Sequence, residues 1–242
     1  MLRPLENVLA DALAVFIGLT GSAGWAVILI TVLVRAILHP LTRFSLKSMK
    51  KMQALAPQVE VLRRKYKENQ QQMNVEIMNL YRSSGANPFG GCLPMLIQLP
   101  LLYAFYAVLR RPEIFQGQAF FGIPLAEAPC VGVRFIPDAA CLARLVANPL
   151  LALIVILVGV TMYLQQRMSV TDPQQARMFV FMPILFTVFS LSFPAGLSLY
   201  WIVTTVLYIG EYYWVVGPTP RPVPAVARQR AAKPRPQSGK DE

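Results

Sequence analysis

The sequence predicts an all-α polytopic membrane protein with five transmembrane helices, a cytoplasmic helical hairpin after the first of them, and an N-terminal interfacial helix. Three observations lead there. Of the 242 residues 55% are hydrophobic and only 14% charged, a composition outside that of ordinary soluble domains. Five windows approach the roughly 20 apolar residues that a spanning helix requires: residues 24–41, 92–109, 149–166, 178–193 and 195–216. The positive charge is also uneven. Lys and Arg number 23 against 12 Asp and Glu, a balance that suits anionic lipid, a ribosome or nucleic acid. The basic residues crowd 43–82 and the tail, whereas the loop between the second and third windows holds only Arg134 and Arg144 beyond Arg110 and Arg111. By the positive-inside rule the N-terminus is outside and the C-terminus cytoplasmic, a parity that five spans satisfy.

Taken in chain order, residues 1–22 place Leu2, Leu5, Leu9, Leu13, Phe16 and Ile17 at helical spacing, which predicts an amphipathic helix on the outer membrane face. Residues 23–216 form the five-span core. Within it, residues 43–86 carry two apolar stripes, Met49, Met52, Leu55, Val59, Leu62 and Tyr66, then Met73, Ile77, Leu80 and Tyr81, separated by the polar run 67–72. Two amphipathic helices joined as an antiparallel hairpin are expected, with Pro57 a point of kinking in the first. Methionine on such a face suits a compliant surface that meets varied partners, so Met49, Met52, Met73 and Met78 are candidate capture residues; the alternative is a hairpin that packs only on itself. Residues 112–148 form an outer loop of mixed character, in which Cys130 and Cys141 either pair or remain free thiols. Residues 193–196 make a tight turn that forces the last two spans to be antiparallel neighbours. The tail, 217–242, is rich in Pro and Arg and is expected to be a disordered basic cytoplasmic segment.

The chemistry lies in the polar residues inside these windows. Arg35 stands about 9 Å from the inner end of the first span, deep for a guanidinium. It faces a polar cavity or a partner, or else snorkels to the inner headgroups. Thr31 and His39 lie at i−4 and i+4, on the same helix face. Gln98 on the second span reaches a matching depth, Gln165 and Gln166 end the third, and the fifth offers Trp201 with Thr204 and Thr205. Tyr200 and Trp201 fit equally well as interfacial aromatics. Glu211 is the only acidic residue in the five windows. No carboxylate pair suggests proton coupling, and no metal-ligand cluster, phosphate loop or hydrolase motif occurs, so neither enzyme activity nor a cofactor is expected.

Several stretches then carry a family resemblance: Thr31 to Thr42 (TVLVRAILHPLT), Asn87 to Pro100 (NPFGGCLPMLIQLP), Gln166-Arg167-Met168, Phe181-Met182-Pro183, and Phe193 to Trp201 (FPAGLSLYW). Together they resemble the YidC/Oxa/Alb membrane-protein insertases, in the compact bacterial form without a large outer domain. The resemblance implies five helices around a hydrophilic groove open to cytoplasm and lipid and closed to the outside. It implies that Arg35, Thr31, Gln98, Gln166, Trp201 and Tyr200 line that groove, and that spans two and four form an apolar slide. The expected activity is insertion and folding of nascent membrane proteins in the bacterial inner membrane, alone or with the Sec translocon. The expected partners are those clients, membrane lipids, the translocon and the ribosome, with no specific nucleic-acid site. A small-solute channel using the same polar layer is the alternative from another class, and it predicts solute flux in liposomes.

Overall fold

The computed structural model describes residues 3–87, 90, 93–115, 117–130, 138–170 and 179–217. Expectations concerning Leu2, Cys92, Arg134, residues 171–178 and the tail beyond 217 fall outside these residues. The described chain is mostly helical: α1 (Arg3–Thr20), α2 (Ala23–Lys65), α3 (Gln70–Ser83), α4 (Leu93–Leu109), α5 (Pro112–Phe115), a two-stranded ribbon of β1 (Ala119–Phe120) and β2 (Ile123–Pro124), α6 (Ala139–Ala147), α7 (Pro149–Ser169), α8 (Met182–Ser190) and α9 (Ala195–Val215). By length and composition α2 and α7 are apolar enough to cross a membrane, and Leu96–Leu109 within α4 is a shorter apolar stretch.

The largest departure from expectation is α2. It runs 43 residues without interruption through Pro40 and Pro57, so the first span and the first hairpin arm are one rod, about 64 Å long at 1.5 Å per residue. A proline removes one amide hydrogen bond and crowds the preceding turn. Here contacts on either side of Pro40 hold the rod: Arg35 and His39 before it, and Leu46 and Met49 after it, all meet α9. The return arm begins where Asn69 accepts from the amide of Gln72 at 3.0 Å. It ends in a Schellman turn in which Ala86 N donates to Tyr81 O and Gly85 N to Arg82 O, with Gly85 at φ 62°. Side chains spaced one turn apart on α2 then fasten the chain as it leaves α3. Ser48 donates to Asn87 O at 2.8 Å, Ser45 donates to Gly90 O, and Lys51 donates to Gly85 O at 3.1 Å. A β-carbon on Gly90 would meet Ser48 Oγ at 2.7 Å, so only glycine permits this approach.

The outer loop holds both helix and strand. Phe121 and Gly122 both have positive φ, the signature of a two-residue hairpin turn matched to strand twist. That turn projects Phe120 over the outer end of α2, against Gly24 and the edge of Trp25. Cys130 and Cys141 form a disulfide, which decides between the two expectations for them. The loop also covers the turn into α9. Leu125 O and Glu127 O accept from the amides of Gly196 and Ala195, and Cys130 N donates to Leu191 O. The carbonyls thereby satisfy first-turn donors that a helix cannot pair itself.

Parts of α1, α2, α4 and α9 close on one apolar core that includes Leu13, Val27, Phe105, Leu109, Phe115 and Leu125. A smaller cluster at the opposite end of the α2–α9 pair joins Leu46 and Met49 of α2 to Tyr208, Tyr212 and Val216. Among the described residues of the fourth span expected over 178–193, one continuous helix covers Met182–Ser190, and Val180 and Phe181 form a turn before it. Pro183 explains its start, because the residue before a proline is disfavoured in continuing helix and proline fits the first turn.

Candidate functional site

Between the outer core and the inner cluster, α2 and α9 run in the same direction and face each other with polar side chains. Arg35 Nη2 donates to the backbone carbonyl of Thr204 at 2.9 Å, and its guanidinium carbon lies 5.9 Å from the centre of the Tyr208 ring. Its Nη1 stands 3.9 Å from Glu211 Oε2. The other carboxylate oxygen of Glu211 lies 2.6 Å from His39 Nδ1, and the imidazole stacks on Trp214 with centroids 5.7 Å apart. Arg35 and Glu211 side chains are only 12% and 14% exposed. A charge so withdrawn from water requires a partner, and Arg35, His39 and Glu211 supply one to another. The i, i+4 spacing of Arg35 and His39 on α2 lets both reach the same carboxylate.

Toward the outside, α4 adds Gln98, whose amide donates to the hydroxyl of Tyr200. The Tyr200 ring is buried and stacks on Phe105 with centroids 4.5 Å apart. Tyr200, Thr204, Tyr208 and Glu211 therefore form one stripe on α9, with Arg35 opposite its middle. Apolar residues seal the stripe above Tyr200. Toward the inside, Gln53 donates to Met168 O at 3.2 Å and to Tyr212 Oη at 3.1 Å, while Ser169 and Tyr208 hydroxyls are 3.2 Å apart. The Gln53 bonds tie the ends of α7 and α9 to the later half of α2, and the Ser169–Tyr208 contact ties α7 to α9.

The structure thus brings together Arg35, Gln98 and Tyr200 across α2, α4 and α9. Thr31 is buried on the Arg35 face, but its hydroxyl donates to Val27 O at 2.6 Å within its own helix. Trp201 leaves this stripe and packs on Phe186 of α8 with centroids 5.2 Å apart. Gln166 donates to Phe179 O, joining the end of α7 to the chain entering α8. In the hairpin Met49 is 5% exposed in the inner cluster, and Met52, Met73 and Met78 are half-buried. The two arms contact each other, Val59 is buried while α3 holds no buried residue, and Phe44, Val61 and Val75 are the exposed large hydrophobics of residues 43–86. Exposed apolar side chains line several helices, among them Leu29, Leu33 and Ile37 of α2, Leu96, Leu99 and Tyr103 of α4, Leu153, Ile156 and Val160 of α7, and Ile184, Leu185 and Phe189 of α8. The grouping of Glu211 with Arg35 and His39 was not anticipated, although a lone carboxylate among apolar windows that also hold a deep arginine signals such a pairing. Among the described residues no group of His, Cys, Asp or Glu is arranged to hold a metal ion.

Comparison with known proteins gives a consistent pattern. Residues 15–220 match the family model described as 60Kd inner membrane protein. The chain is 41% identical over 213 residues to the membrane protein insertase YidC of Geobacter sulfurreducens, an alignment covering 87% of this chain and 37% of that protein. It is 38% identical over 214 residues to the membrane protein insertase YidC of Oleidesulfovibrio alaskensis, covering 88% and 38%. A crystal structure of an active YidC insertase with its first transmembrane domain resolved superposes with a TM-score of 0.66 at 27% identity, covering 87% of this chain and 46% of that one. The chain therefore spans less than two fifths of the length of these two relatives.

Proposed function

Because the chain belongs to the 60Kd inner membrane protein family and is a bacterial inner-membrane protein with transmembrane helices, we propose that it inserts nascent membrane proteins through a groove between α2, α4 and α9. The observation that carries this reading is Arg35, a guanidinium held at depth on the Thr204 carbonyl beneath an apolar seal. Five spans enclose the groove, the N-terminus lies outside and the C-terminus in the cytoplasm. A client's hydrophobic segment slides on the exposed apolar faces of α4 and α8. Its short polar segment enters beside Arg35, which attracts it when it is acidic. Water reaching the guanidinium from the cytoplasm shortens the low-dielectric path that this segment must cross. Burial of the client's apolar segment in lipid then drives release, at about 25 cal/mol per Å² withdrawn from water.

Met49, Met52, Met73 and Met78 take part in capture once the hairpin moves, since Met49 and Met52 pack against α9 and Met73 and Met78 are half-buried. The basic hairpin offers a surface for the ribosome, and the outer helices one for the Sec translocon. Thr31, Gln166 and Trp201 support the groove through neighbouring backbone and rings. The solute-channel alternative gains no support from relatives that are named insertases.

The test is reconstitution of the purified full chain alone in liposomes, with protease protection of a short single-span client as the readout. Insertion above empty liposomes is expected. Solute flux without insertion would overturn the reading.

A further inference from the structure

We propose that Glu211 is a competing counter-ion for Arg35, which an acidic client segment must displace, so that Glu211 sets the threshold of acidity for uptake. The inference deepens the insertase reading above and rests on it. The two oxygens of Glu211 are held unequally. His39 Nδ1 fixes Oε1 at 2.6 Å, whereas Oε2 accepts no hydrogen bond among the described residues and lies 3.9 Å from Arg35 Nη1. Arg35 is equally incompletely engaged, because the one acceptor it reaches among the described residues is the neutral carbonyl of Thr204.

A guanidinium binds a carboxylate best through two parallel charge-assisted hydrogen bonds, and Glu211 makes neither. An incoming Asp or Glu that docks on Arg35 therefore gains contacts that the internal carboxylate lacks. Glu211 is not abandoned in the exchange. It stays anchored to His39, which is braced against Trp214, and Tyr208 of its own helix is a further titratable group within electrostatic reach. A neutral segment offers Arg35 no replacement charge, so the internal pair persists against it. Discrimination follows from this difference, as it does wherever a charged site must give up one partner to accept another.

Two single-span clients test this, one with two aspartates in its short N-terminal segment and a twin with two asparagines. Insertion rates are compared in liposomes holding the wild-type chain, Glu211→Gln or Arg35→Gln. Removing the competitor in Glu211→Gln is expected to raise the acidic-to-neutral rate ratio roughly tenfold. In Arg35→Gln the ratio is expected to fall to that of an uncharged site. A ratio in Glu211→Gln equal to wild type would overturn the counter-ion role, while insertion itself, if retained, would leave the insertase reading standing. Wild-type protein that inserts neither client would overturn both.

Should Glu211→Gln not fold, the unaltered protein gives a second readout, because His39 is the sole histidine. With 15N-histidine labelling, the Nδ1 resonance is expected to shift on adding the aspartate client and to stay in place with the asparagine twin. An unmoved resonance at saturating aspartate client would contradict displacement.

Discussion

At the scale of single residues, Arg35 is poised between a neutral acceptor and a charged one, the Thr204 carbonyl at 2.9 Å and Glu211 at 3.9 Å. Arg35→Ala should lower insertion of acidic clients about tenfold and of neutral clients far less, as measured by protease protection. Equal loss for both clients would point to collapse of the groove. A lysine cannot reach both partners with a planar fork, so Arg35→Lys should recover only part of the lost rate. A second residue-scale prediction concerns Gly90. Gly90→Ala forces its new methyl against Ser48, at a cost of about 1–3 kcal/mol visible as faster hydrogen exchange at residues 84–87. That Arg35 and His39 share one helix face was legible in the sequence, because helical spacing fixes it. Their shared partner was not, since pairing with Glu211 depends on which helices are neighbours and on their relative rotation.

At the scale of elements, α2 couples the membrane to the hairpin as one rod, and Gln53 fastens that rod to α7 and α9. Tyr212→Phe removes one end of this fastening, worth about 1 kcal/mol. Faster exchange in the hairpin arms with unchanged exchange around residue 27 is the expected result; uniform loosening would argue against a local latch. Deleting residues 50–83 should reduce insertion, and an unaffected rate would exclude the hairpin from client capture. Apolar periodicity foretold both hairpin arms and the starts of α7 and α9, because each is marked by a composition change. Pro57 read as a point of kinking in the sequence; helix continues through it and through Pro40, where tertiary contacts on both sides outweigh the local cost. The regular part of α8 is shorter than its apolar window, since hydrophobicity continues through Phe181 while proline resets the backbone.

At the scale of the whole molecule, polarity is graded along one axis. An apolar core of α1, α2, α4 and α9 lies at one end, the Arg35 layer follows, and a tyrosine–methionine cluster lies at the other. The described part of residues 112–148 reinforces the apolar end by pairing the first amides of α9 and seating Phe120 on Gly24. Composition alone indicated a membrane protein and the family resemblance implied closure toward the outside, but these loop contacts were not legible, because loop backbone leaves no periodic trace. The account's central claim is that the Arg35 layer is wet from the cytoplasm and sealed from the outside. Arg35→Cys, in a Cys92→Ser background with the Cys130–Cys141 disulfide intact, allows the most direct test with a membrane-impermeant maleimide. Labelling from the cytoplasmic side of inverted vesicles, and none from the outer side of right-side-out vesicles, is the predicted result. A thiol unreactive from the cytoplasmic side, or reactive from the outer side, would contradict it.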